Sequence, residues 1–405
     1  LPLFVNELAE RSRPIRFFLD DLHHLSDEGS IASLQELIDH LPPEVGLVIA
    51  SREAAPFPLG RLRLERALVE IGAPELAMDV GDARAALTAA GVDVGEDQIV
   101  ALVDRTEGWV AGLAWATLAM QTDPDAESLV AAIDALDGGL AEYLIEEVID
   151  RRSPEQRAFM LETSILSRFS AALCDHVRER VDSRALIDEL DRTNAFLVPL
   201  DPQGEWFRYH HLVHDVLALR LRREAPSTVP TLHRRASTWL HEHGEIVESI
   251  RHARAAGDHR TAADILCGNW WSMMHGGRIE TAHALFEEFG HAAICAYQPL
   301  AIAAAVLYSL AGDHQRGQTY FEAAESGDFD GPPPDGSASM ESSLALMRGS
   351  VGFGGVEPAT DAGRTAYDLE PVDSPFRPLA AMIVGLGHVW CGEPHDAEPW
   401  LDQVA

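Results

Sequence analysis

The sequence contains no lysine, so all 31 of its basic residues are arginine. The phosphate-binding loop of P-loop enzymes, G-x-x-x-x-G-K-[ST], places a lysine on the β and γ phosphates of the nucleotide. A complete loop of this kind is therefore excluded from these 405 residues. We expect the chain by itself not to hydrolyse ATP.

Positive charge is scarce as well. The 31 arginines face 65 acidic residues, which gives a formal net charge of −34. A protein that binds a nucleic-acid backbone needs clustered positive charge to replace the counterions of the phosphates. This composition therefore predicts that the chain does not itself contact DNA.

The sequence also has few cysteines and no long apolar run. Its four cysteines are Cys174, Cys267, Cys295 and Cys391, and none forms a C-x-x-C pair. This spacing favours buried thiols in a reducing compartment over a disulfide framework or a zinc knuckle. No apolar stretch has the length of a membrane span, and the first residues do not resemble a signal peptide. We expect a cytoplasmic protein without membrane contact.

A short apolar run near the start ends on two carboxylates. Ile15 to Leu19 has the composition of a buried β-strand, and Asp20 and Asp21 follow it directly. Acidic side chains at the carboxyl end of such a strand are well placed to hold Mg²⁺ beside a nucleotide phosphate. An aspartate after a strand is also a common loop residue or helix cap, so both interpretations stay open.

A second apolar strand supports the first interpretation. Ser30 is predicted to cap a helix that ends before Pro42-Pro43, and Val45 to Ala50 then forms a strand before Arg52. A crossover helix between two apolar strands predicts parallel pairing, which brings Asp20 and Arg52 to one sheet edge. Alternatively, Arg52 pairs with Asp21 or faces solvent.

Five short motifs occur in a fixed order along the chain and together resemble a known family. They are Phe-Leu-Asp-Asp-Leu-His (18–23), Ile-Ala-Ser-Arg (49–52), Leu-Val-Glu-Ile-Gly (68–72), Glu-Gly-Trp-Val-Ala-Gly-Leu (107–113) and Trp-Phe-Arg-Tyr-His-His-Leu (206–212). This set is similar to that of the MalT-type ATP-binding regulators of the LuxR family, which are STAND-class P-loop NTPases. The specific motifs cover about the first two thirds of the chain.

The resemblance implies ATP/ADP and Mg²⁺ as cofactors and a role for each site residue. Asp20 would hold Mg²⁺, Asp21 would orient or activate water, Arg52 would sense the γ-phosphate, and His210 would contact the β-phosphate of ADP, with His211 as the weaker choice. The resemblance also implies a P-loop half before Leu1 and a DNA-binding helix-turn-helix after Ala405. We therefore expect an internal part of a longer ATPase.

The expected fold is multidomain and mostly α-helical. Residues 1–78 would form the carboxyl half of an α/β P-loop domain, with Leu68–Ile71 and Glu75–Met78 extended. Residues 79–125 would form a helical lid that Asp79 caps, with a joint at Glu107-Gly108-Trp109 and a polar linker from Gln121 to Glu127. The joint is expected near the nucleotide or against the next domain, or Trp109 is simply a core anchor. Residues 138–225 would form a winged helix, and residues 231–405 a TPR-like α-solenoid.

The winged helix is predicted from helices followed by two short strands. The Asp201-Pro202-Gln203-Gly204 turn joins Phe196–Leu200 to Trp206–Tyr209. His210 and His214 follow, one helical turn apart, but the pattern lacks the glutamate of a zinc-binding H-E-x-x-H motif. Three roles are open for a histidine at this place. The resemblance implies contact with a phosphate, and the alternatives are a solvated side chain at a helix start or a zinc ligand.

The last part of the sequence reads as helix pairs. Ala256-Gly257-Asp258-His259 recurs at residues 311–314, and Gly312, Gly355 and Gly392 lie about 40 residues apart, as in two-helix repeats. Asp328 to Ser339 is predicted to be an exposed loop. The cluster of Trp270, Trp271, Met273 and Met274 is either an effector pocket or core.

Three classes of function follow. The first is the central part of a signal-responsive, ATP/ADP-switched transcriptional regulator, in which the winged helix holds the ADP-bound closed state and the solenoid senses a small-molecule or protein effector. Such a regulator would self-associate when activated and contact DNA only through a segment outside this chain. A variant links the same module to a Ser/Thr kinase. The alternatives are a TPR-like interaction scaffold with a degenerate nucleotide site, or a metal-dependent hydrolase that uses His210 and His214.

Overall fold

The structure is a computed structural model, which describes residues 2–9, 14–25, 27–51, 55–122, 149, 152–193 and 196–404. The chain consists of two compact units, Leu1–Val229 and Pro230–Ala405. The described residues are mostly helical, as predicted. Within them, no helix is both long and apolar enough to cross a membrane.

The first unit opens with two parallel strands, as the sequence predicts. Strand β1 is Ile15–Leu19 and strand β2 is Val45–Ile49, paired from Ile15 with Val45 to Leu19 with Ile49. The prediction of a buried strand was wrong for β1, whose residues alternate between half-buried and exposed. Phe18 is 74% exposed, because the described part of this sheet has only two strands and leaves one face uncovered.

Helix α2, Glu28–Asp39, connects the two strands. Its cap is Asp27 and not Ser30 as predicted: Asp27 accepts hydrogen bonds from the Ser30 backbone N–H at 2.7 Å and from its hydroxyl at 2.8 Å. A carboxylate three residues before the free amide satisfies an N–H that the helix leaves unpaired. Ser30 therefore lies inside the first turn.

The segment after β2 is less extended than predicted. Helix α3 is Gly60–Leu64, and residues 73–76 form a short helix α4, Ala73–Leu76, where the sequence led us to expect extended structure from Glu75 to Met78. Proline at the start of α4 fixes a helical φ, and Glu75 accepts a hydrogen bond from the Gly72 backbone N–H at 2.8 Å. This local capping outweighs the apolar pattern.

Three helices follow, α5 (Val80–Ala89), α6 (Glu96–Thr106) and α7 (Val110–Thr122). Asp79 caps α5 as predicted, accepting from the Asp82 backbone N–H at 2.8 Å. Buried leucine and isoleucine side chains hold α5 and α6 together. Residues 123–148, which include most of the predicted linker and the start of the predicted winged-helix domain, lie outside the described residues.

The winged helix has the predicted helices followed by two short strands. Its elements are α8 (Pro154–Thr163), β3 (Phe169–Ser170), α9 (Ala171–Arg178), α10 (Ser183–Arg192), β4 (Leu197–Pro199), β5 (Trp206–Tyr209) and α11 (His211–Glu224). Strand β5 pairs antiparallel with β4, as predicted. It also pairs antiparallel with β3, a short strand that the sequence did not predict. Tyr209 on β5 is buried, and its hydroxyl lies 2.7 Å from that of Thr163.

The second unit consists of helix pairs from α12 onward. They are α12 (Val229–Glu242), α13 (Ile246–Ala255), α14 (His259–His275), α15 (Ile279–Phe289), α16 (His291–Ala296), α17 (Gln298–Leu310), α18 (His314–Ser326), α19 (Met340–Val351), α20 (Val356–Leu369), α21 (Arg377–Trp390) and α22 (Pro394–Leu401). The predicted turns are present: Gly257 takes a φ of 76°, and Asp258 accepts from the Thr261 backbone N–H. Glycine ends one helix and aspartate caps the next.

Helix α17 lies at the centre of this unit, since every side chain from Gln298 to Tyr308 is buried. The predicted exposed loop, Asp328 to Ser339, is only partly exposed. Asp335 accepts hydrogen bonds from the Ser337 backbone N–H at 2.9 Å and the Ser343 hydroxyl at 3.0 Å, and Ser337 is buried. These bonds fasten the loop to α19.

Candidate functional site

A joint between helix α6 and the winged helix brings together two of the motifs that carry the resemblance. Arg208 on β5 forms a bidentate ion pair with Glu107 at the end of α6. Its two terminal guanidinium nitrogens lie 2.7 and 2.8 Å from the two carboxylate oxygens. The His211 backbone N–H donates to the same carboxylate at 3.0 Å. Paired N–H donors fix a carboxylate in both distance and direction. This joint is the candidate functional site.

The backbone of the joint depends on a glycine. Gly108 has a φ of 70°, and its carbonyl oxygen accepts a hydrogen bond from the Met78 backbone N–H at 2.9 Å. A Cβ at position 108 would lie 2.5 Å from the Met78 carbonyl oxygen, which is closer than real atoms approach. Glycine is therefore required here for both its conformation and its lack of a side chain.

His210 is the second polar contact across the joint. Its Nδ1 accepts from the Leu212 backbone N–H at 3.3 Å, which caps α11. Since Nδ1 acts as an acceptor, the neutral ring carries its proton on Nε2 and donates it to the Thr106 carbonyl oxygen at 3.1 Å. His210 is buried, and both ring nitrogens have partners in the chain.

The surroundings shift the pKa values of both side chains. Burial alone would raise the pKa of Glu107, but hydrogen bonds from Arg208 and the His211 backbone outweigh it and lower the pKa to about 2. Burial lowers the pKa of His210 against the opposing pull of Glu107 and the Thr106 carbonyl. Near neutral pH the joint therefore contains a charged glutamate and a neutral histidine.

Apolar contacts surround these polar ones. The Trp109 ring packs edge-on against Phe196 at a centroid distance of 5.6 Å and against His210 at 6.2 Å. One helical turn into α11, Asp215 forms an ion pair with Arg105 of α6. The prediction that the joint lies against the next domain is confirmed, and Trp109 is an anchor of that contact.

The other predicted nucleotide residues lie at the end of β1. Asp20 Oδ1 accepts from the Asp21 backbone N–H at 2.9 Å, and Asp21 has a φ of 55°. The Ala50 backbone N–H, just after β2, donates to the Leu19 carbonyl, so the ends of both strands share one edge. Arg52 lies outside the described residues. The convergence of Asp20, Asp21, Arg52 and His210 on one nucleotide stays a prediction.

The structure gives the zinc hypothesis little support. The Nδ1 atom of His214 lies 3.3 Å from Asp215, and both ring nitrogens of His210 are engaged. Elsewhere among the described residues, ligand atoms of His388, Glu393 and Asp396 lie within 4.8 Å of one another. Arg364, however, lies 2.9 Å from His388 Nε2, and its positive charge disfavours a metal ion there.

Arg208 is the residue of the joint that sequence reasoning missed. It stands within the motif Trp-Phe-Arg-Tyr-His-His-Leu, and Glu107 stands within Glu-Gly-Trp-Val-Ala-Gly-Leu. An isolated arginine in one motif and an isolated glutamate in the other were the available signal. Their sequence separation of 101 residues hid the pairing.

Known proteins match this chain in the winged helix and over longer stretches of the sequence. The sequence model of the family described as the MalT winged helix domain matches residues 145–229. The HTH-type transcriptional regulator MalT of Serratia proteamaculans is 27% identical over 408 residues, which cover 99% of this chain and 45% of that protein. MalT of Klebsiella pneumoniae is 30% identical over 284 residues, 68% of this chain and 31% of the relative.

A kinase shares the same region. The serine/threonine-protein kinase PknK of Mycobacterium tuberculosis is 32% identical over 289 residues, which are 71% of this chain and 26% of the kinase. A solved structure from Pyrococcus horikoshii, described as a STAND protein with a tetratricopeptide repeat sensor, is 12% identical and covers 96% of this chain and 62% of that chain. Its TM-score of 0.34 is too low to support a comparison of folds.

The chain spans less than half the length of the curated relatives given above, from 26% to 45%. The winged-helix match and the similarity to MalT over nearly the whole chain agree with the motifs that the structure brings together at the joint. This chain therefore belongs to the MalT-type family, with the MalT winged helix domain at residues 145–229.

Proposed function

We propose that this chain is the central part of a signal-responsive transcriptional regulator that ATP and ADP switch between two states. Residues 79–125 act as the lid over the nucleotide, the winged helix holds the ADP-bound closed state, and the TPR-like helix pairs of the second unit sense an effector. Activation leads to self-association in the cytoplasm, and DNA is contacted by a segment outside this chain.

The observation that carries this proposal is the joint between α6 and β5. A nucleotide switch needs a contact that transmits the state of the lid to the next domain, and that contact must be strong enough to hold yet breakable. The ion pair of Glu107 and Arg208 meets both needs, since its side chains are 21% and 24% exposed and water is available to each when the pair separates.

The nucleotide roles follow the predicted order of residues. Asp20 holds Mg²⁺, Asp21 orients or activates water, and Arg52 senses the γ-phosphate. His210 contacts the β-phosphate, which requires its Nε2–H to turn from the Thr106 carbonyl to the phosphate. A neutral imidazole has only one N–H to donate, so the phosphate and Thr106 compete for the same proton.

Nucleotide content after purification tests this proposal. The longer protein that contains this chain should retain ADP, and Asp20→Asn should lower the retained ADP at least tenfold. The matched control is Asp93→Asn, an exposed carboxylate in the loop before α6, which should leave ADP retention unchanged. Wild-type protein without nucleotide would favour the interaction scaffold with a degenerate site. An Asp20→Asn protein that retains ADP fully would show that Asp20 does not hold the nucleotide.

A kinase-linked regulator is the second candidate. It is supported by the 32% identity to PknK, which exceeds the 27% identity to the MalT of Serratia proteamaculans. Sequencing the gene on both sides of this segment separates the two candidates. A kinase domain before it would identify the second, and a helix-turn-helix after it without a kinase would identify the first.

A further inference from the structure

Two adjoining cavities open between helices of the second unit. The smaller has a volume of about 50 Å³ and the larger of about 160 Å³. Both are lined by Trp271, Val306, Ser350 and Leu379, so they share a wall. A dry cavity of roughly 150 Å³ accommodates one benzene-sized ring. The pair therefore has room for one ring with a short substituent.

The larger cavity has no charged residue in its lining. Its walls include Trp271, Leu310, Met382, Leu386 and Trp390. Trp390 is 68% exposed, which is unusual for so large an apolar side chain, so part of its ring remains open to solvent. Tryptophan rings pack edge-on or offset against aromatic ligands, so this compartment suits an aromatic ring.

The smaller cavity contains a single charged residue, Asp335. The Asp335 carboxylate accepts hydrogen bonds from the backbone N–H and hydroxyl of Ser337 and from the Ser343 hydroxyl, all of which are neutral donors. Among the described residues of this unit, no arginine or histidine forms an ion pair with it. A carboxylate beside apolar walls favours a cationic partner.

An aromatic ring borders the same compartment. Trp270 lines it beside Asp335, and Trp270 and Trp271 pack edge-on at a centroid distance of 5.3 Å. Indole faces attract cations, and the effect grows when the cation is shielded from water. Neither cavity is lined by a basic residue, and the chain carries a net charge of −34, so an anionic ligand is disfavoured.

We propose that these two cavities form one binding site for a small arylalkylamine, with the aromatic ring in the uncharged compartment by Trp271 and Trp390 and the protonated amine against Asp335 and Trp270. This site deepens the proposed function and rests on it, since it assigns an effector class to the unit proposed to sense one. The loop from Asp328 to Ser339 contributes the charge that selects the amine.

Isothermal titration of the whole 405-residue chain with 2-phenylethylamine tests the site. We expect saturable binding of one equivalent. The neutral analogue 2-phenylethanol and the ringless amine butylamine should each bind at least tenfold more weakly, because each lacks one of the two recognised groups. Equal binding of the neutral analogue, or no saturable binding of the aromatic amine, would overturn the proposal.

Asp335→Asn is the matching variant. An asparagine keeps an acceptor for Ser337 and nearly the same volume, so the loop should remain folded, which an unchanged circular-dichroism melting curve would verify. Affinity for 2-phenylethylamine should fall at least tenfold. The control is Asp330→Asn, an exposed carboxylate in the same loop, which should bind as the wild type does. If Asp335→Asn bound with wild-type affinity, the carboxylate would not be the anchor.

This titration is independent of nucleotide. A chain that fails to bind the amine while the longer protein retains ADP would refute only this site. Amine binding by a protein that never retains nucleotide would refute the proposed switch and leave the site in place.

Discussion

Directional polar contacts hold the joint in the first unit, whereas close apolar packing holds the helix pairs of the second. At the joint, Glu107, Arg208 and His210 make charged or polar bonds between elements that lie 101 or more residues apart. In α17 every side chain from Gln298 to Tyr308 is buried. Interiors packed in this way resist deformation, while a partly exposed ion pair can exchange with water. The comparison separates a contact suited to switching from a framework suited to keeping its shape.

The largest effect should come from a cavity in the packed framework. Leu307, in the last turn of α17, is 0% exposed, so Leu307→Ala should lower the free energy of unfolding by about 2–5 kcal/mol. Leu310 lies on the same helix but is 56% exposed, and Leu310→Ala should cost less than about 1 kcal/mol. Urea unfolding followed by tryptophan fluorescence measures both. Equal losses would show that α17 is not the packed centre.

A smaller loss is expected when the joint loses its charge. The pKa of Glu107 falls from 4.5 to about 2 in the fold, and because the side chain is partly exposed, the interaction contributes roughly 2 kcal/mol near neutral pH. Glu107→Gln should therefore cost the first unit about that much. A double-mutant cycle with Arg208→Gln should return most of the loss as coupling energy.

Asp104→Asn, in the same helix and exposed, is the control for that variant. It should leave the unfolding free energy within about 0.5 kcal/mol of wild type. The joint would not depend on the ion pair if Glu107→Gln and Asp104→Asn proved equally mild.

A pair of histidines in the second unit is a polar contact within the otherwise apolar packing of its helices. The Nδ1 atoms of His252 and His233 lie 2.8 Å apart, and burial, aided by His233, lowers the pKa of His252 to about 3. A histidine with a lowered pKa contributes stability above about pH 6.5, and that stability is lost as the pH falls toward 3. Going from pH 7 to pH 5 should therefore cost about 2 kcal/mol through His252.

Urea unfolding at the two pH values measures this loss. His252→Gln should reduce the pH dependence by about that amount, whereas His259→Gln, which is exposed at the start of α14, should leave it unchanged. An unaltered pH dependence in His252→Gln would mean that the loss arises at other groups.

The smallest predicted effects should be alike in both regions. Asp79 caps α5 and Asp258 caps α14, each by accepting a hydrogen bond from a backbone N–H three residues on, at 2.8 and 3.1 Å. Asp79→Ala and Asp258→Ala should each cost about 1 kcal/mol, since capping is a local interaction. Thermal melts of both variants measure it. A large difference between them would show that the units transmit local damage differently.

Sequence reasoning predicted the elements whose signals are local. The parallel pair of β1 and β2, the Asp79 cap, the glycine-aspartate turns and the hairpin of the winged helix all follow from patterns within about 30 residues. The cap at Asp27 was missed because Ser30 is an equally good capping residue. Helix α4 was missed because its proline and Glu75 outweigh the apolar pattern.

The candidate site could not be predicted fully from the sequence, because it depends on contacts between distant segments. The contact of Glu107 with Arg208 and the place of Asp335 in a cavity depend on how distant segments pack, which no local pattern encodes. The resemblance to the regulator family identified both motifs of the joint without pairing them. It assigned His210 to a phosphate, whereas in the structure its ring proton goes to Thr106.

Hydrogen exchange at the joint is the most direct test of the central claim that nucleotide holds the winged helix against the lid. The amides of residues 106–109 and 208–211 should be followed in the longer protein with and without ADP. We expect ADP to slow exchange in both segments together, and Arg208→Gln to abolish the effect in both. Exchange rates that ADP leaves unchanged, or slows in only one segment, would contradict it.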